Sequence, residues 1–340
     1  MIPLNLTHVL IGLLASASIA DAEPTVGAYD FFVCANLNRN YVIGSKIITT
    51  NGIYQRNVAG AWQHLGYNDG GISALAFDPR DRNVIYTSAL NGLWRTLDGG
   101  QHWRLCNEWD MTESRDVAVD PNAPDHVYLA LPDGIAVSTD RAQTLVRREN
   151  GLPVRGKYTQ VVQVDRTRAG RVFAGCELGI YLTDDGAQRW RPVLSTKEMV
   201  FDIQQSPHDP RIWLAATQSA GAWRSRDEGV TWQRLPAMPG NHALYNITFD
   251  FTNAQRLAVG SWGLGVWTSE DGGQSWTPRN DGLPAPQRVW RVGVDPEGRL
   301  YASVFGETLY VSSDFGRKWQ ADALAGSTVN KFLILPKQAK

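Results

Sequence analysis

Five carboxylates, Asp110, Glu113, Glu177, Glu198 and Glu307, fall in segments of this 340-residue chain that read as loops. Two carboxyl groups facing each other across a sugar ring make a glycosidase, at roughly 5–5.5 Å for retention or 6.5–9.5 Å for inversion. Taken singly, each is also read as a solvated loop charge. Trp109 (NEWDMTESR) and Trp262 (GSWGLG) lie in loops as well, where an indole beside carboxylates suits stacking on a sugar or gripping a peptide. The plainer alternative is that both tryptophans cover neighbouring structure. Arg115, Arg288 and Arg291 are the arginines best placed for an acidic ligand, but they are scattered. Tyr245 and Trp290 open apolar runs at comparable positions and join Trp109, Asp110, Arg115, Glu177 and Trp262 as candidate ligand-binding residues. No HExxH, nucleophile elbow or Gly-rich phosphate loop occurs, so no metal, no cofactor and no complete catalytic set is expected.

The elements that must position these residues follow from an internal repeat. Ser/Thr-x-Asp-x-Gly-x-x-Trp occurs intact at residues 96–103 (TLDGGQHW), 225–232 (SRDEGVTW), 269–276 (SEDGGQSW) and 312–319 (SSDFGRKW). Degenerate copies stand at 138–145 (STDRAQTL) and 183–190 (TDDGAQRW), and an eroded one ends in Gly60-Ala61-Trp62. From Thr96 the spacings are 42, 45, 42, 44 and 43 residues. Each unit carries an alternating strand ending in a turn (Phe77-Asp78-Pro79), a second strand, a Gly-apolar-aromatic strand (Gly92-Leu93-Trp94) and a short strand bearing the motif Trp. Four short strands per roughly 40–45 residues describe one propeller blade. The chain is therefore expected to be all-β: a seven-bladed β-propeller of four-stranded antiparallel blades.

The motif is read as structural chemistry. Asp98, Asp140, Asp185, Asp227, Asp271 and Asp314 can accept turn amides, Gly supplies positive φ, and Trp103, Trp190, Trp232, Trp276 and Trp319 cover the hairpins. A residue type repeated around a ring is scaffold. Over residues 30–335 these motifs resemble the BNR/Asp-box propellers, of the broad WD40/YVTN-like kind. That group includes sialidases, xyloglucanase-like glycosidases, the sortilin ectodomain and photosystem II assembly-factor-like proteins. The resemblance implies a fold with motif hairpins on one face and any ligand on the opposite face, at the mouth of a central channel. It does not specify an activity. Sialidases carry an Arg-Ile-Pro sequence that is missing here, and Arg211-Ile212-Trp213 is the nearest text. Xyloglucanase-like enzymes usually place substrate between two propellers. The favoured expectation is an exported, non-catalytic, monomeric propeller binding a protein or glycan partner. The alternative is a glycoside hydrolase using two of the loop carboxylates.

Ring closure has two candidates. Residues 31–45 align without a gap on 74–88, which would give the first blade its own inner strand. Residues 329–336 (VNKFLILP) also read as an inner strand, and closure by this C-terminal segment is favoured because it shares one blade between the chain ends and hides an edge.

Composition agrees with many short strands: 43% hydrophobic residues, 32 Gly, 13 Trp and 11 Tyr. A net charge of −1 without a basic stripe argues against nucleic acid. Cys34, Cys106 and Cys176 are assigned to different blades and read as small buried hydrophobes. Residues 9–20 (VLIGLLASASIA), followed by Ala20-Asp21-Ala22, read as a signal peptide over 1–22, with residues 23–340 forming the propeller. Twelve apolar residues fall short of the roughly 20 a membrane-spanning helix needs. The expected location is secreted or periplasmic, with no membrane span. Asn246-Ile247-Thr248 is a glycosylation sequon inside a predicted strand, hence unused.

Overall fold

The computed structural model describes residues 29–37, 51–57, 59–66, 71–238 and 242–337. The proposed signal peptide lies outside them. Seven four-stranded antiparallel sheets form the ring. The inner strands of blades 2 to 7 are Ala74–Asp78, Asp116–Val119, Thr159–Val164, Val200–Gln205, Leu244–Phe249 and Val289–Val294. The second strands read as apolar runs (VYLAL, VFAGC, WLAAT) and are buried along their whole length, because a blade is covered on both faces by its neighbours. Outermost strands such as Arg104–Leu105 and Gln233–Arg234 are two residues long and exposed. Among the described residues no core occupies the middle of the ring. The apolar residues instead form seven clusters, one at each seam between adjacent blades. Among the described residues no helix is long and apolar enough to cross a membrane.

Blade 1 joins the two ends of the chain. Its inner strand is the C-terminal Ser327–Pro336, hydrogen-bonded to Tyr29–Leu37, and Gly52–Arg56 and Trp62–Leu65 complete the sheet. C-terminal closure therefore holds. The gapless alignment of 31–45 on 74–88 misleads: Tyr29–Leu37 is the second strand of its blade, and residues 38–45 lie outside the described residues. Both segments are apolar and alternating, so pairing, not pattern, separates an inner strand from a second one.

In the motif hairpins the Ser or Thr hydroxyl donates to the Asp carboxylate and accepts an amide two residues beyond it. In blade 2, Thr96 Oγ1 donates to Asp98 Oδ1 (2.7 Å) and accepts from Gly100 N (3.0 Å), while Asp98 Oδ1 takes the amides of Gln101 and His102. The degenerate copies keep this geometry. Ala142 and Ala187 sit at φ 57° and 68° where intact motifs carry Gly, and their amides still reach Ser138 Oγ and Thr183 Oγ1. Their methyl groups are buried in the seam clusters, which offsets the cost of a left-handed non-glycine backbone. Trp190 and Trp319 also bridge blades, donating Nε1 to the carbonyls of Arg148 and Arg279 at 2.8 Å.

Candidate functional site

The face opposite the motif hairpins carries the loops between second and third strands and the links between blades. A local irregularity builds the site there. The inner strands skip one residue at the same place in five blades, leaving Gln160, Phe201, Tyr245, Trp290 and Asn330 out of register with their partners. A bulge of this kind turns the extra residue out of the ladder and re-aims its side chain. On blades 5 to 7 the bulged residues are aromatic, and their rings meet: Phe201 to Tyr245 at 4.9 Å and Tyr245 to Trp290 at 4.4 Å between centroids.

Loop aromatics complete the cluster. Trp262, from the loop before the third strand of blade 6, lies 6.1 Å from Tyr245 and 6.5 Å from Trp290, both edge-on. Phe305, from the corresponding loop of blade 7, sits 5.4 Å from Trp262. Arg288 stacks on Trp262 at 5.7 Å, and Arg291 on Trp290 at 5.3 Å. Phe305 is exposed, and Phe201, Tyr245, Trp262 and Trp290 are partly so. The result is a rim of π-faces along the channel mouth, able to stack on flat, partly apolar groups.

Of the candidates from sequence, Tyr245, Trp262 and Trp290 come together with Arg288 and Arg291. Arg115 lies on blade 3, 5.3 Å over Tyr158 and 3.7 Å from Glu113, and lines the channel. Trp109 stands apart at 88% exposure in the link between blades 2 and 3. Its neighbour Asp110 is 3.4 Å from Arg147, which also meets Asp133 and Glu149. Glu113 occupies a left-handed turn at φ 54°, and Glu307 is partly buried in the loop of blade 7. Only Glu177 and Glu198, among the five carboxylates, line one depression, an open hollow of about 430 Å³ shared with Arg155 and Lys197. Met199 and Gln218 line it too.

Two sets of residues escaped the sequence reading. Phe201 belongs to the rim, and only its place one residue before the buried polar position of its strand signals this. That polar position is the second set. Asp116 accepts Val162 N, Asp202 accepts Ile247 N (both 3.2 Å), and Asn246 bonds the amide and carbonyl of Val292, each clasping the next blade. Asn246 is thus spent on blade packing, as its place in an inner strand implied. The three cysteines are free thiols on blades 1, 2 and 4, with Cys34 and Cys176 buried. No described group of His, Cys, Asp and Glu could hold a metal.

No family model matches the chain. Similar curated proteins are a xyloglucanase from Paenibacillus sp., 22% identical over 302 residues, and the xyloglucanase Xgh74A of Acetivibrio thermocellus, 26% identical over 281 residues. The matches cover 79% and 76% of this chain but 27% of each relative, so the chain spans about a quarter of their length. Among solved structures, the GH74 enzyme of Niastella koreensis superposes with a TM-score of 0.69 at 18% identity, over 88% of this chain and 52% of that one. YCF48 bound to D1 peptide superposes at 0.56 and 18% identity, over 74% of this chain and 82% of that one. At such identities the solved structures show the fold alone: a seven-bladed propeller shared with xyloglucanases and with YCF48.

Proposed function

We propose that this chain is an exported carbohydrate-binding propeller that holds a β-linked polysaccharide along its channel mouth. The observation carrying this reading is the rim of Phe201, Tyr245, Trp262, Trp290 and Phe305, five aromatics on three adjacent blades. Similarity to xyloglucanases over three quarters of the chain selects a plant-type glucan as the first ligand to try. Titrating wild type with xyloglucan in a calorimeter is the test. Trp262→Ala and Trp290→Ala should each weaken binding by about 1–3 kcal/mol, the range for an aromatic anchor, and leave the protein folded. Glucan binding that is equally strong in both variants would overturn the assignment. A protein captured only when both tryptophans are present, with no glucan bound, would replace the ligand by a protein partner.

A second reading, hydrolysis, is favoured by the pair Glu177 and Glu198, which share one open hollow between blades 4 and 5. One would protonate the leaving oxygen and the other would activate water or attack the anomeric carbon. Reducing ends released from xyloglucan by wild type, and lost by several orders of magnitude in both Glu177→Gln and Glu198→Gln, would make the protein an enzyme. No release by wild type leaves the binding propeller standing.

A further inference from the structure

The channel below the aromatic rim has a chemistry of its own. It forms a cavity of about 510 Å³ whose lining includes four cations, Arg115, Arg166, Arg291 and Lys331, against two carboxylates, Asp116 and Asp202. The carboxylates are largely committed to the scaffold. Asp116 accepts Val162 N and its own neighbour Val117 N, and takes Lys331 Nζ at 3.1 and 3.3 Å. Asp202 accepts Ile247 N at 3.2 Å and Gln204 Nε2 at 2.8 Å, and pairs with no cation among the described residues. Burial pushes its carboxyl above the ordinary range, with Lys331 and Arg291 opposing.

Arg291 is the group left over. Its Nε donates to Asn330 O at 3.0 Å, and its Nη1 donates to Tyr245 O at 2.5 Å and to Trp290 O at 3.3 Å. Three backbone carbonyls and one indole face thus fix the guanidinium. Among the described residues no carboxylate lies within ion-pair distance and no atom accepts from Nη2. The carbonyl it holds belongs to Asn330, so Lys331, whose ammonium also has a proton to spare after its Asp116 contacts, is the next residue of the strand. A fixed, partly desolvated guanidinium with a free edge is a receptor for an oxyanion group.

We propose that the channel is an anion site, in which a small carboxylate or phosphate is bound by Arg291 Nη2 and Lys331 Nζ beneath the aromatic rim. Its donors come from the inner strands of blades 7 and 1, and the rim ring stacked on Arg291 is Trp290 and not Trp262, so Trp262 separates this site from the glucan reading. A small organic acid fits a cavity of this size, which falls in the range of ordinary ligand pockets. Asp202 shares the field of the same two cations and, when ionised, competes with a bound anion for them.

The experiment is calorimetric titration of the full chain with citrate and, separately, inorganic phosphate, at fixed ionic strength set by sodium chloride. Saturable binding of at least one is expected, and the stronger arm identifies the carboxylate or the phosphate as the better fit. Arg291→Gln should weaken it ten-fold or more. Asp202→Asn, which keeps the shape and removes the competing charge, should tighten it several-fold, a gain that misfolding does not produce. Arg211→Gln, an exposed arginine on the opposite face paired with Asp209, should leave binding unchanged. Trp262→Ala should also leave it unchanged, so failure of the glucan reading and failure of this one are separable. Heats that grow linearly with salt, or equal affinity in wild type, Arg291→Gln and Asp202→Asn, would sink the proposal.

Discussion

In the motif hairpin of blade 6 a hydroxyl and a carboxylate divide the turn amides between them. Ser269 is 1% exposed, accepts Gly273 N at 2.8 Å and donates to Asp271 Oδ1 at 2.8 Å. Asp271 faces solvent, where it takes the amides of Gln274 and Ser275 and the Ser275 hydroxyl. Water can replace the carboxylate in its exposed half of the turn, but nothing replaces the hydroxyl at the buried Gly273 amide. We therefore expect Ser269→Ala to cost about 1–3 kcal/mol in urea unfolding, with Asp271→Ala costing less, and binding per folded molecule unchanged in both. The reverse order would mean that the carboxylate, not the hydroxyl, holds the turn. The sequence marks the motif as scaffold, since Asp recurs at one spacing around the chain. It leaves hidden which of the two polar residues is buried, because burial depends on how the hairpin docks on the neighbouring turn, where Gly272 N reaches Gln255 O.

Strands carry the next level. Ser327–Pro336 is the inner strand of blade 1, and it is tied to three other blades besides its own sheet: Asn330 Nδ2 donates to Ile72 O ahead of blade 2, Lys331 reaches Asp116 on blade 3, and Trp290 on blade 7 donates to Asn330 Oδ1. Removing residues 327–340 would strip these ties and leave Tyr29–Leu37 as an unpaired edge facing the channel. We expect the truncated chain to aggregate, or to melt lower by more than about 10 °C, given a few degrees per kcal/mol for a domain of this size. Unchanged melting of a soluble truncated protein would contradict closure by this strand. The same scale explains the aromatic rim. The sequence displays Tyr245 and Trp290 at the starts of inner strands, but an alternating pattern does not reveal a bulge, and it is the bulge that turns Phe201, Tyr245 and Trp290 toward one another.

Across the whole ring the motif carboxylates act together. Hydrogen bonds from turn amides and hydroxyls hold Asp98, Asp185, Asp227, Asp271 and Asp314 below the usual carboxylate range, and Asp140 is held at about 2 against the cost of its burial. A carboxyl whose folded pKa is depressed contributes stability that is complete above its unfolded value, near 3.8, and disappears as pH falls toward its folded one. Asp202 and Asp295, pushed up by burial, have the opposite sign, and Asp295, raised to about 6, loses its contribution as pH rises through that value. With Asp78 and Asp209, which their arginine partners also hold low, eight depressed carboxyls against two raised ones give an acid flank between about pH 4 and 2. Melting temperature should fall across that window, and the gap between wild type and Asp140→Asn should close there. Parallel profiles would remove the hairpin carboxylates as its cause. At this scale the amino-acid order by itself determined the all-β class, the number of blades and the hairpin scaffold. Each of these rests on local periodicity and turn chemistry repeated every 42–45 residues. Only the tertiary structure decided which loop residues meet. Trp109 and Trp262 look alike in sequence, yet one stands alone and the other packs against Tyr245, Trp290 and Phe305. Neighbours around a ring are set by blade geometry and by single-residue bulges, and neither leaves a periodic trace in the chain.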